Sequence, residues 1–217
     1  MKTIIVGAGG HSRVVYDILR YDHNVQVVAF VDNSPRGSEE KIMGVPVVGD
    51  HDIIPSLVED EDVGGFIIAV GDNEIRRNHF EKLMDMGLEP VSAIHPESYI
   101  SKTATVGAGT VVASGVNVST NVEIGENSIL NTGAIVDHET AIGAHAHVAP
   151  GTTVAGRVKI GELSFVGMGS TVRDYTEVGE NVTVGAGSVV LEDVPSNVTV
   201  AGAPAEVKNE KEVEKDD

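Results

Sequence analysis

"NTGAIVDHETAIGAHAHVAPGTTVAGR", Asn131 to Arg157, sets three histidines, His138, His145 and His147, into a run of small and aliphatic residues. The aliphatic residues keep a period of six. Val136, Ile142, Val148 and Val154 are evenly spaced, and four places after each stands a small or β-branched residue: Thr140, Ala146, Thr152 and Val158. Extended both ways, the spacing holds without interruption from Ile94, Ile100 and Val106 to Val178, Val184 and Val190.

A period of six, with one large and one small inward residue, makes each hexapeptide a flat face and a corner. Three hexapeptides then close an 18-residue triangular coil, and stacked coils form a parallel β-helix. Hairpins would need turn signals every 8 to 12 residues and would lose the phase. The repeat resembles that of the left-handed hexapeptide-repeat acyltransferases, which implies an all-β left-handed parallel β-helix. It ends near "LEDVPSNVTVAGAPAEV", where Pro195 and Pro204 break the phase and an end piece is expected over the last coil.

The composition agrees with such a prism. In 217 residues there are 25 glycines, 4% aromatics and no Trp, so the core must be aliphatic and the chain must turn often. Cysteine is absent, which excludes disulfides, thiolate metal sites and a Cys nucleophile, and fits a reducing cytoplasm. The net charge of -18 argues against nucleic acid, because phosphate binding needs a basic face. The opening apolar run is too short for a signal segment, and no window approaches a membrane span, so a soluble cytoplasmic protein is expected.

Residues 1–93 have a different rhythm. "TIIVGAGGHSRVVYDILRYD" reads as a β-branched strand, a glycine turn and an amphipathic helix; "VQVVAFVDN" and "GGFIIAVGDNEIRRNHFEKLMDMG" continue a βαβ order, an α/β Rossmann-like domain with a parallel sheet. The turn has G-x-G but puts Ser12 where a dinucleotide fingerprint wants its third glycine. Asp32 ends the second strand roughly where a ribose-binding acid stands. Three segments follow: a domain over 1–93, a β-helix over 94–205 and an acidic disordered tail over 206–217.

"GAGGH", "FVDN", "AVGDNEIRR", "AIHP" and a hexapeptide prism carrying "DHE" together resemble the family of sialic-acid O-acetyltransferases and nucleotide-aminosugar N-acetyltransferases, across nearly the whole chain. The resemblance implies an acetyl-CoA-dependent enzyme acting on a nucleotide-sugar, of the UDP-4-amino-sugar type, without a metal. The front domain would hold the nucleotide-sugar through residues matching Gly9, Gly10, His11, Asp32, Asn33 and Gly71. The prism would hold acetyl-CoA, with His147, Gly156, Met168 and Ala186 as candidate contacts. Acetylation of a sugar hydroxyl is the near alternative; a zinc enzyme of the γ-carbonic-anhydrase kind and a non-catalytic nucleotide-sugar sensor are more distant ones.

Each histidine has a place in the period. His138 is outward, near a corner, with Glu139 beside it and Gly156 one coil above; that bare place is expected to leave room for the pantetheine arm of CoA. Acetyl transfer needs a base for the nucleophile and a donor for the oxyanion, and an imidazole with a carboxylate neighbour suits the first task. The resemblance gives those roles to His138 and Glu139, while Arg157, stacked one coil above Glu139, is a rival partner for the carboxylate. His147 is half a coil away, more than roughly 12 Å at ~3.3 Å per residue, so the two histidines are expected to meet only across subunits of a homotrimer, with His147 bonding the thioester carbonyl. His145 falls on an outward fourth place and is expected to be solvated surface, and His95 a junction residue. A zinc site would need three imidazoles, and no histidine follows His147.

Overall fold

The computed structural model describes residues 1–33 and 40–211. The chain divides into two compact units, Met1–Pro96 and Glu97–Asp217, where the sequence reading puts the change at 93/94.

The first unit is an α/β layer. Strands β1 (Lys2–Val6), β2 (Gln26–Val31), β3 (Lys41–Ile42), β4 (Val45–Val48), β5 (Val63–Ile68) and β6 (Glu89–Pro90) lie in the order β3-β4-β2-β1-β5-β6. All pairs are parallel except β3 with β4. Central β1 is buried throughout its β-branched run, as a strand covered on both faces must be. Helix α1 (Gly10–Leu19) buries Val15, Ile18 and Leu19, a helical i, i+3, i+4 spacing. Helix α2 (Ile54–Glu61) starts with a proline in its first turn, and α3 (Asn73–Asp85) is capped by the Asp72 carboxylate, which accepts from Ile75 N–H at 3.0 Å. Phe66 and Phe80 meet edge to face, with centroids 5.5 Å apart, within a core that includes Ile4, Val31, Ile54 and Leu83.

The second unit is a left-handed parallel β-helix. Its two-residue strands pair in parallel with partners 18 residues on, such as Val136 with Val154 and Val148 with Val166. They form three faces. The first runs through Ile129–Leu130, His147–Val148 and Phe165–Val166; the second through Ile135–Val136, Thr153–Val154 and Thr171–Val172; the third through Ala141–Ile142, Lys159–Ile160 and Glu177–Val178. The large inward places Val112, Val136, Val154, Val166 and Val184 are wholly buried, each worth roughly 1.5–3 kcal/mol. Ile94, the first of the series, is exposed.

The small inward places solve a polar problem. Hydroxyls of Thr110, Ser128, Thr140, Thr152, Ser164 and Ser170 each donate to a carbonyl 15 residues on, so the buried hydroxyls are satisfied by corner carbonyls of the coil. The phase breaks where expected: Thr183 pairs with Thr199 and Val178 bridges Val194, an offset of 16. The tail expectation needs correction. Glu206–Glu210 is an antiparallel strand on Val198–Ala201, covering the edge of the last coil, while residues 212–217 of that expected tail lie outside the described residues.

Candidate active site

His138 and Glu139 form the turn that follows the second-face strand Ile135–Val136, and Gly156 and Arg157 form the turn one coil above. The Asp137 carboxylate accepts from the His138 backbone N–H at 2.7 Å, and the His138 carbonyl accepts from Arg157 N–H at 2.9 Å. The imidazole is 46% exposed and rests over Gly156: a Cβ built there would stand 2.6 Å from both Cε1 and Nε2. The bare place therefore seats the histidine ring and is not an open channel, which replaces the sequence argument for a pantetheine arm at Gly156.

Glu139 sits between two partners. Arg157 donates to it through Nε at 2.8 Å and Nη2 at 3.2 Å, a bidentate pair, and His138 Nδ1 lies 3.7 Å from Oε1. The Arg157 hydrogen bond is the main cause holding the Glu139 carboxyl below its usual range, with a smaller contribution from His138. The guanidinium is fixed from its other side by Tyr175, whose hydroxyl accepts from Nη1 and whose ring centroid is 5.3 Å from Cζ. Tyr175 was missed in the sequence, although it stands one 18-residue coil beyond Arg157.

His147 lies on the first face, not with His138. Its ring is 8% exposed, with Nε2 3.2 Å from the Asn131 amide and the ring edge-on to Phe165 at 5.1 Å. Met168 and Ala186 stack on the corner that leads out of that same face, joined by the Gly187 N–H to Met168 carbonyl bond at 2.9 Å; Met168 is 59% exposed. Met168 and Ala186 thus lie at the corner between the first face, which carries His147, and the second, while Gly156 and His138 lie at the far end of the second face. His145 corrects the expectation of solvated surface. It is 4% exposed, with Nδ1 2.9 Å from the amide of Asn127, and both residues occupy left-handed corner positions, φ 57° and 51°, where the side chain packs along the stack of corners.

In the first unit the carboxyl ends of β1, β2 and β5 line a cleft of about 100 Å³, walled by Gly7, Asp32, Asn33, Val70, His51 and His79. Ends of parallel strands are where ligands bind in open α/β sheets. Gly7 has φ 105° and a Cβ there would meet the Ala69 carbonyl at 3.0 Å, so glycine is required; Gly9 and Gly10 face open space at the start of α1. Ser12, in place of a third glycine, is buried and donates to the Gly9 carbonyl at 2.7 Å. Asp32 accepts from Ala8 N–H at 2.7 Å, bracing the turn. His11 is largely buried, and that burial, with the nearby Arg76 charge, lowers its pKa to about 4. Arg76 itself ties down the turn after β5, donating to the carbonyls of Val70 at 3.1 Å and Gly71 at 3.3 Å. His51 and His79, absent from the sequence reading, stack at 4.3 Å with 18° between the rings. Only the sheet order brings them together, and no period in the sequence joins them.

His95, expected at a junction, lies edge to face with Tyr21 at 5.4 Å. Among the described residues no cluster of three or more His, Asp or Glu is arranged to hold a metal, and no helix is long and apolar enough to cross a membrane.

The PglD N-terminal domain profile matches residues 2–83, and the profile of the bacterial transferase hexapeptide, six repeats, matches residues 157–192. PerB from Caulobacter crescentus, crystallised with CoA and GDP-perosamine, is 38% identical, with a TM-score of 0.91 over 96% of this chain and 98% of its own. This chain belongs to the nucleotide-sugar N-acetyltransferase family. A second member, the acetyltransferase domain of PglB from Neisseria gonorrhoeae in complex with acetyl coenzyme A, is 34% identical, with a TM-score of 0.89 over 95% of this chain and 98% of its own. The UDP-N-acetylbacillosamine N-acetyltransferase of Bacillus subtilis strain 168 is 34% identical over 119 residues, so the match spans about half, 51%, of that curated relative's length and 52% of this chain. The Caulobacter enzyme has also been crystallised with a histidine replaced by alanine.

Proposed function

We propose that this protein moves an acetyl group from acetyl-CoA to the amine of a nucleotide-linked amino sugar, of the UDP-4-amino-sugar type, in one direct step. The observation that carries the reading is the exposed His138 ring, seated over Gly156 with Glu139 at its Nδ1 side. A carboxylate at Nδ1 favours a proton there and leaves Nε2 as the acceptor. The sugar amine attacks the thioester carbonyl, Nε2 takes the amine proton, and the C–S bond breaks with the thiol leaving as its proton is returned. The tetrahedral oxyanion needs a donor, the role assigned to His147. A cysteine-free chain offers no thiol to carry the acetyl group, which supports transfer without a covalent enzyme intermediate.

The nucleotide is assigned to the first unit. The start of α1, with bare Gly9 and Gly10 and the neutral His11, suits phosphate oxygens; Asp32 and Asn33 suit the ribose, and Gly71 the turn beside them. Acetyl-CoA is assigned to the prism, with Gly156 seating the base and His147, Met168 and Ala186 meeting the cofactor. Because His138 and His147 belong to different faces of one chain, we propose a homotrimer in which His138 of one copy works with His147 of the next. The lack of cysteine fits a cytoplasmic protein.

Initial-rate kinetics with UDP- and GDP-linked 4-amino sugars test the reaction. Intersecting double-reciprocal lines and a product heavier by one acetyl group are expected. Ping-pong lines or an isolated acetyl-enzyme would overturn direct transfer.

A further inference from the structure

We propose that Arg157 is a positioning residue for the acetyl transfer, acting on His138 through Glu139 and anchored in turn by Tyr175. The inference rests on His138 being the base. Glu139, Arg157 and Tyr175 succeed one another at 18-residue intervals in the same corner, with φ of 57°, 60° and 61°. Their backbones are stacked by the Arg157 N–H to His138 carbonyl bond at 2.9 Å and the Tyr175 N–H to Gly156 carbonyl bond at 3.2 Å. Side chains repeat the stack: Tyr175 holds Nη1, Arg157 holds both oxygens of Glu139, and Oε1 faces His138 Nδ1.

An exposed ion pair is ordinarily incidental, because two long side chains must be ordered for a small Coulomb gain in water. Here three features oppose that outcome. The pair is bidentate, the geometry that only a guanidinium fork provides. The fork is already ordered by a hydrogen bond and a ring face on its far side. And Oε1, the oxygen at 3.2 Å from Nη2, is the one that looks at the imidazole 3.7 Å away, so the fork determines where the His138 neighbour stands. A carboxylate free to rotate would leave Nδ1 without a fixed negative neighbour. Held by Arg157, it favours one tautomer and one ring orientation, and it meets the imidazolium that forms when Nε2 takes the amine proton.

The test is a double-mutant cycle in acetyl transfer between Arg157→Ala and Glu139→Gln, with His138→Ala as reference. Arg157→Ala should lower kcat about 10-fold, within the range spanned by coupled neighbours, and leave KM for acetyl-CoA and the nucleotide-sugar unchanged. Added to Glu139→Gln it should lower kcat no further. Arg157→Lys should recover only part of the loss, because it keeps the charge and loses the fork. Tyr175→Phe, at a 66% exposed side chain, gives a second route if the arginine variant does not fold, and should lower kcat several-fold with KM unchanged. Independent, multiplying effects of Arg157→Ala and Glu139→Gln would overturn the proposal. So would a full recovery by lysine with the change in KM, which is the signature of attraction for anionic co-substrates. A change in melting temperature alone, with kcat intact, would make the stack structural and equally overturn it. If His138→Ala keeps its turnover, the base assignment itself fails; if that variant is inactive while Arg157→Ala and Tyr175→Phe turn over normally, only this inference fails.

Discussion

Gly156→Ala isolates the seat of the proposed base. The added methyl would stand 2.6 Å from Cε1 and Nε2 of His138 and 3.1 Å from Cδ2, whereas ordinary contact begins at 3.4 Å, so the ring must shift by about 0.8 Å. The backbone is no obstacle, since Gly156 is not in the left-handed region and alanine can adopt its conformation. A catalytic group misplaced by on the order of 1 Å costs roughly 10²-fold in rate. Gly156 is itself buried, but what lies against it is the half-exposed His138 ring, which can swing outward, so the variant should fold and lose roughly 10²-fold in kcat. Release of CoA thiol gives the rate, chemical denaturation the stability, and equilibrium binding of acetyl-CoA the cofactor affinity. If the ring is the occupant of that place, binding of acetyl-CoA is kept while turnover falls. Wild-type kcat would refute the reasoning about the seat, and selective loss of acetyl-CoA binding would restore the view that the place is a cofactor channel.

Three further outcomes follow from particular contacts. His11 has a folded pKa of about 4 against 6.5 for an open imidazole; a lowered value means the unfolded chain takes the proton first, so stability is present above pH 6.5 and is lost as pH falls towards 4, by about 3 kcal/mol. Urea unfolding of the wild type and His11→Gln at pH 7 and pH 4.5 checks this; an equal acid loss in both would mean other groups carry it. Mixing inactive His138→Ala chains with His147→Ala chains should restore part of the activity once subunits exchange, and mixed oligomers that stay inactive would mean the two histidines do not share a site. Dialysis against a strong chelator should leave acetyl transfer unchanged, and loss of activity restored by zinc would favour the metal enzyme.

The prism was legible because burial there follows a strict period: Val136, Val148 and Val154 point inward, and their partners 18 residues on can be named before any coordinate is known. The same arithmetic placed Gly156 above His138 and Arg157 above Glu139. What it could not give were torsion angles. Whether Gly156 would be filled by a ligand or by the His138 ring, and whether Glu139 would turn to His138 or to Arg157, are choices of rotamer within one corner. His145 was misjudged for a related reason: the fourth place is a left-handed corner that leaves Glu139 and Arg157 exposed, but at His145 the ring turns onto Asn127 one coil away and is buried. The acidic composition after Ala205 suggested an unstructured tail, yet the open edge of Val198–Ala201 offered backbone partners that composition does not report, and Glu206–Glu210 pairs with it. His51 and His79 needed the sheet order of the first unit, which the βαβ pattern implies in class and not in register.

The central claim is that His138 is the base for acetylation of a nucleotide-linked sugar amine. The most direct measurement incubates wild type and His138→Ala with acetyl-CoA and UDP- or GDP-linked 4-amino sugars, and follows sugar mass and CoA release across pH. The wild type should yield a sugar heavier by one acetyl group with stoichiometric CoA, and His138→Ala should lose roughly 10² to 10⁴ in kcat with both substrates still bound. Equal turnover by the variant, or no acetylated nucleotide-sugar from the wild type, would contradict it.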